Sequence, residues 1–92
     1  MQTDGTTHRG HFLRIKLYPH IYQRYEIVKD LSIGRDENND ISLNDASVSS
    51  HHAMVIKEQD KVWIEDLGST NGTLVNEIIV HKRALQEGDV IH

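Results

Sequence analysis

The chain has 92 residues, enough for one apolar core, and this excludes a two-domain enzyme. A composition of 37% hydrophobic and 26% charged residues argues for a globular but thinly cored domain and against disorder along the whole length. The formal charge of −4 gives no long-range pull toward a phosphate polymer or anionic lipid, and the absence of Cys removes disulfides, thiolate metal sites and cysteine nucleophiles together.

Met1 to His11 mixes Thr, Gly, Asp, His and Arg with little apolar content, which predicts a flexible leader ahead of a domain over residues 12–92. The leader lacks the apolar core of a secretory signal, and no stretch approaches the ~20 apolar residues that span a bilayer. The expected location is therefore cytoplasmic, or nuclear in a eukaryotic cell. From Phe12 the apolar residues recur with period two: Leu13, Ile15 and Leu17 share one face while Arg14 and Lys16 take the other, the pattern of a half-buried strand. The simplest role for Arg14 and Lys16 is a solvated strand face, with a secondary patch for acidic partners as the alternative. Further short β-rich runs follow at Arg24–Val28, Leu31–Gly34, Ile41–Leu43, Ala53–Lys57, Val62–Asp66, Thr73–Val75, Ile78–Val80 and Asp89–Ile91.

Turn-forming groups separate these runs: Pro19, Lys29-Asp30, Asp36 to Asp40, Asn44-Asp45, Gln59-Asp60, Gly68 to Gly72 and Glu87-Gly88. Many short strands with polar turns, and no convincing helix, predict an all-β protein with two sheets packed as a sandwich. The last run stops at His92 as though the C-terminal strand were truncated. A sheet cut there would expose an open edge through which the chain could form a homo-oligomer.

Polar residues suited to binding an anion concentrate at Gly34-Arg35, at Ser47 to His52 and at Gly68 to Asn76. Loops of a sandwich gather at its two ends, so these clusters could converge on one surface. Arg35 can offer a planar fork of donors to a phosphate, Ser49 and Ser50 can add hydroxyl or amide donors, and Asn71-Gly72 suggests a tight turn with positive φ.

In order along the chain stand Gly34-Arg35, Asn39-Asp40-Ile41, Leu43, Ser49-Ser50-His51-His52-Ala53, Asp66-Leu67-Gly68-Ser69-Thr70-Asn71-Gly72-Thr73, Asn76 and Gly88-Asp89-Val90-Ile91. With this series the stretch Leu31 to Ile91 resembles the forkhead-associated (FHA) domain, a β-sandwich that binds phosphothreonine peptides. The resemblance implies that Arg35 and Ser49 contact the phosphate with help from Ser50, that Thr70 lies beside the phosphothreonine, and that Asn71 bonds the peptide backbone. It implies structural support from Gly34, His52, Gly72 and Asn76, and specificity tuning around Glu37 to Asn39 and Glu77. Where the family often has Arg, Ser50 is small and uncharged, which shifts the phosphate load toward Arg35.

The implied function is a phosphothreonine-dependent module that recruits substrates of a Ser/Thr kinase, with no cofactor, nucleic acid or membrane involved. The alternative is a phospho-independent structural or oligomerisation module built on the same sandwich. Because phosphate and His both titrate near pH ~6 to ~6.5, binding should weaken in mild acid.

Other chemistries are weaker. Adjacent His51 and His52 point in different directions, and a zinc site needs three or four converging ligands. Ser49, His52 and Asp66 lack a Gly-x-Ser-x-Gly elbow, so no catalytic residue is assigned. Asp36-x-Asn38-x-Asp40 begins like a calcium loop, but Ile41 stands where Gly is required and Ser47 where Glu is. Asn71-Gly72-Thr73 is formally a glycosylation sequon, for which a turn role is preferred. Trp63 and Ile64 suit core packing or one face of a strand.

Overall fold

The computed structural model describes residues 11–18 and 21–92. The expected leader lies outside them except for His11, which already belongs to the first strand, one residue before the expected start. Ten strands follow in order: β1 His11–Tyr18, β2 Ile21–Ile27, β3 Leu31–Gly34, β4 Ile41–Ser42, β5 Ala53–Glu58, β6 Lys61–Asp66, β7 Thr73–Val75, β8 Ile78–Val80, β9 Lys82–Leu85 and β10 Val90–Ile91. They form two five-stranded sheets, ordered β2-β1-β10-β7-β8 and β4-β3-β5-β6-β9. No helix occurs among the described residues, and so none is long and apolar enough to cross a membrane.

Alternation explains the packing. Leu13, Ile15, Ile27, Val75 and Ile91 from the first sheet meet Ile33, Val55, Val62 and Ile64 from the second. Val55, Ile64 and Val75 are fully buried. Truncating such a residue to Ala in a core this thin costs roughly 2–5 kcal/mol. Trp63 and Ile64 take opposite faces: Ile64 enters the core, while Trp63 stands half-buried on the outside, paired with Ile56 and Ala84.

The expected open edge at the C-terminal run is not found. β10 is interior, running parallel to β1 through Arg14↔Val90 and Ile15↔Ile91 and antiparallel to β7 through Ile91↔Val75. The edges are β2, β8, β4 and β9. Oligomerisation through an exposed β10 therefore loses its basis, because that backbone already has partners on both sides.

The connections sort to two ends. Gly34 closes β3, Ala53 opens β5, Asp66 closes β6 and Thr73 opens β7, so the loops between them gather at one end of the sandwich. At the other end of β7, Asn76 and Glu77 form the tight turn to β8, both with positive φ of 52° and 70°. That pair of left-handed residues is what a two-residue hairpin turn requires.

Candidate functional site

The site is assembled from backbone contacts between its first two loops and side-chain hydrogen bonds that tie in the third. Gly34 ends β3 where no side chain fits: a Cβ there would overlap the Ser50 carbonyl oxygen and come within 2.6 Å of Asn39 Nδ2. The close approach lets the Arg35 amide donate to the Ser49 carbonyl at 2.9 Å and the Asp36 amide to the Ser50 carbonyl at 3.3 Å. Asn39 Nδ2 adds a bond to the Ser50 carbonyl at 2.8 Å and one to the Asp36 carbonyl at 2.9 Å. Arg35 is thereby rooted by its main chain, leaving its side chain exposed.

Ser49 is the junction of the loops. Its amide donates to His52 Nδ1 at 3.0 Å, and its hydroxyl oxygen accepts the Thr70 amide at 3.0 Å. A hydroxyl has one proton to give as well as lone pairs, so Ser49 keeps its O–H available to an incoming anion. His52 is buried at 8% exposure, and its Nε2 reaches the Gly72 carbonyl at 2.9 Å. Since Nδ1 accepts from an amide, the proton sits on Nε2 and is donated to Gly72. One neutral imidazole thus joins the Ser47–His52 segment to the Gly68–Gly72 turn. His51 is exposed.

Asn71 completes the contact from its own side, donating from Nδ2 to the Ser47 carbonyl at 2.8 Å. Ser47 is itself held by Asp45, which accepts from the Ser47 amide and hydroxyl at 2.8 and 2.7 Å. Gly72 has φ of +86°, and a Cβ there would press on Ile79 Cδ1 at 2.7 Å, so the turn expected at Asn71-Gly72 is present and requires glycine.

The residue that shapes this second loop is Asp66. One oxygen accepts the Gly68 and Ser69 amides, each at 3.0 Å; the other accepts the Ser69 and Thr73 hydroxyls. Thr73 is 1% exposed, so its hydroxyl depends on this partner. Burial acts to raise the Asp66 carboxyl, but the Ser69 and Thr73 hydroxyls and the Ser69 and Gly68 amides outweigh it, and its pKa lies below the ordinary aspartate value. Ser69 passes the constraint on, its oxygen accepting the Gly72 amide at 2.9 Å.

Arg35, Ser49, Ser50, Thr70 and Asn71 therefore share one rim, with Gly34, His52 and Gly72 beneath it. Two expected members do not. Asn76 and Glu77 sit at the opposite end of β7, where Asn76 Nδ2 donates to Asp89 at 2.8 Å and Asn76 Oδ1 accepts the Val90 amide at 3.0 Å. Asn76 fastens the turn to the start of β10 and does not support the rim; Glu77 cannot tune specificity from there.

The triad geometry is also absent: His52 bonds the Ser49 amide and the Gly72 carbonyl, while Asp66 is taken by Ser69 and Thr73. The calcium-like run is occupied locally. Asp36 accepts the Asn38 amide at 2.8 Å, and Asp40 accepts the Ser32 amide at 2.9 Å.

Sequence reasoning missed Asp66 and Ser69 as organisers of the rim, and the signal was present. An Asp followed two and three residues later by Gly and Ser is the pattern of a side chain closing its own turn. Below the rim lies a mostly apolar cavity of about 150 Å³, lined in part by Leu43, Ser47, Val48, His52, Asn71 and Gly72.

A two-sheet sandwich with a guanidinium, hydroxyls and a carboxamide collected on interlocked loops at one end defines a loop-borne recognition module. Residues 31–92 match the family model of the FHA domain, and the chain belongs to that family. Among relatives it is 32% identical over 89 residues to an oxoglutarate dehydrogenase inhibitor of Corynebacterium jeikeium, matching 96% of this chain and 62% of that protein. It is 35% identical over 89 residues to the glycogen accumulation regulator GarA of Mycobacterium tuberculosis, matching 96% of this chain and 55% of that one. The chain thus spans little more than half the length of these curated relatives. A solved FHA domain studied for phosphothreonine-dependent interactions superposes with a TM-score of 0.74 at 29% identity, covering 88% of this chain and 82% of the other.

Proposed function

We propose that the domain binds phosphothreonine-containing protein segments reversibly and without catalysis, recruiting substrates of a Ser/Thr kinase in the cytoplasm. The observation that carries this is the Ser49 junction, where one residue is bonded to the Arg35 loop, to His52 and to the Thr70 amide, leaving outward donors on a shared rim. A phosphothreonine brings a charge of about −1.5 to −2 and three acceptor oxygens, suited to one guanidinium with neutral donors around it. Neutral donors act locally, so a chain of charge −4 can still hold an anion. The apolar cavity below the rim is a place for the threonine methyl, worth about 0.8 kcal/mol, or roughly a fourfold preference over phosphoserine.

The test is calorimetric titration with matched peptides carrying phosphothreonine, phosphoserine or unmodified threonine. Binding should fall in that order, and Arg35→Ala should weaken phosphothreonine binding about 100-fold, as expected for losing about 3 kcal/mol of charge-assisted bonds. Equal binding of the unmodified peptide, or an indifferent Arg35→Ala variant with its fold intact, would overturn the proposal.

A further inference from the structure

Away from the loops, the β1–β2 hairpin carries an unusual outer face. Leu13, Ile15 and Ile27 point into the core, at 2%, 3% and 2% exposure. The alternate positions, Phe12, Arg14 and Lys16 on β1 and Tyr22, Arg24 and Glu26 on β2, therefore point away from it. The register sets Arg14 directly opposite Arg24, with Lys16 opposite Tyr22 and Phe12 opposite Glu26. Like charges facing each other across an antiparallel pair are destabilising, and folding alone gives no reason to place them so.

Among the described residues neither arginine has a carboxylate in ion-pair contact. Among the described residues the ion pair is Lys29 with Asp40, and no carboxylate lies within 4.0 Å of Arg14, Lys16 or Arg24. Each guanidinium instead lies over an aromatic ring on the diagonal: Arg24 over Phe12 at 3.8 Å and Arg14 over Tyr22 at 4.9 Å. A cation held over a ring face keeps its N–H groups available to another partner, and both arginines are exposed. Phe12 and Tyr22 remain 43% and 46% exposed, so each cation sits beside apolar surface still open to water. Arginine with Tyr and Phe is the composition that dominates the energetic centre of protein interfaces.

We infer that the outer face of β1–β2 is a second docking surface, for an acidic segment of a partner protein, with Arg14 and Arg24 each taking a carboxylate in a two-pronged bond. Such a segment would relieve the Arg14–Arg24 repulsion and cover Phe12 and Tyr22. Nucleic acid fits less well, since that mode typically rests on some 6–10 phosphate contacts and this face has three cations on a chain of charge −4. The surface is separate from the rim, which is built from loops at the strand ends.

The experiment maps backbone amide and arginine Nε–H NMR shifts of the intact chain on titration with poly-L-glutamate, with oligo-dT of matched charge as the parallel arm. Shifts should concentrate at Phe12, Arg14, Tyr22 and Arg24, weaken with added salt, and leave Arg35, Ser49 and Asn71 in place. The double variant Arg14→Gln with Arg24→Gln should weaken poly-L-glutamate binding about 30-fold, while Arg35→Ala leaves it unchanged. Absence of shifts in the parent chain, shifts centred on the rim, or an unaffected double variant would each refute the assignment. Tighter binding of oligo-dT at the same residues would refute the partner class.

Discussion

Replacing Asp66 by Asn keeps the size of the side chain and removes its charge. The carboxylate accepts four hydrogen bonds, two on each oxygen. In the Asn, Oδ1 can keep the Gly68 and Ser69 amides while Nδ2 donates to the Ser69 and Thr73 hydroxyl oxygens, so four charge-assisted bonds become neutral ones. At roughly 1.5 kcal/mol for a bond to a charged acceptor against about 1 kcal/mol for a neutral one, four such changes make about 2 kcal/mol. In a domain of this size that lowers Tm by about 8 °C or more.

Urea denaturation followed by Trp63 fluorescence measures it, and the midpoint should fall with m unchanged. The acid limb gives a second reading. Because the Asp66 carboxyl is held below its ordinary value, its contribution is complete above the unfolded carboxylate pKa near ~3.9 and is lost as pH falls through the lower folded value. Parent and variant should therefore converge in acid. A gap under about 1 kcal/mol near neutrality, or one that persists undiminished through the acid limb, would show that Asp66 does not organise the loop as described.

Two further substitutions separate the ends of the sandwich. Gly34→Ala drives a methyl against the Ser50 carbonyl and Asn39, so it should cost about 1–3 kcal/mol in stability and weaken phosphopeptide binding as the Arg35 and Ser49 loops part; titration and melting read both. Asn76→Ala removes the bonds to Asp89 and Val90 and leaves Ala in a left-handed conformation, costing about 1–3 kcal/mol, yet phosphopeptide affinity should not change because this turn lies at the other end of β7.

Alternation made most strands legible, because a half-buried strand writes its period directly into the residue order. β9, Lys82–Leu85, was not: its four residues begin with two cations, and its side chains are at most partly buried. An edge strand next to β6 is held by ladder bonds and needs little apolar patterning, and charges there suit an exposed edge. The start of β2 was likewise missed after Pro19. The position of β10 was illegible for a different reason. Order along the chain says nothing about order across a sheet, so a strand near the end of the sequence read as an edge when it lies between β1 and β7.

At the site, residue types suited to an anion were visible, but their meeting depends on long-range contacts such as Thr70 to Ser49, Asn71 to Ser47 and His52 to Gly72. Those contacts became predictable only through the family resemblance. The resemblance carried Asn76 and Glu77 along with the rim because they follow Gly72 closely in sequence, although three residues of β7 carry the chain away from the rim.

The clasp between the first two loops is made chiefly of main-chain groups, the Arg35 and Asp36 amides against the Ser49 and Ser50 carbonyls, with the Asn39 side chain added at the Ser50 carbonyl. Peptide groups are the same whatever side chain they bear. Exposed positions such as Glu37, Asn38 and Ser50 are therefore free to drift while the frame stays put, so a lineage can retarget this end of the molecule one substitution at a time without rebuilding it.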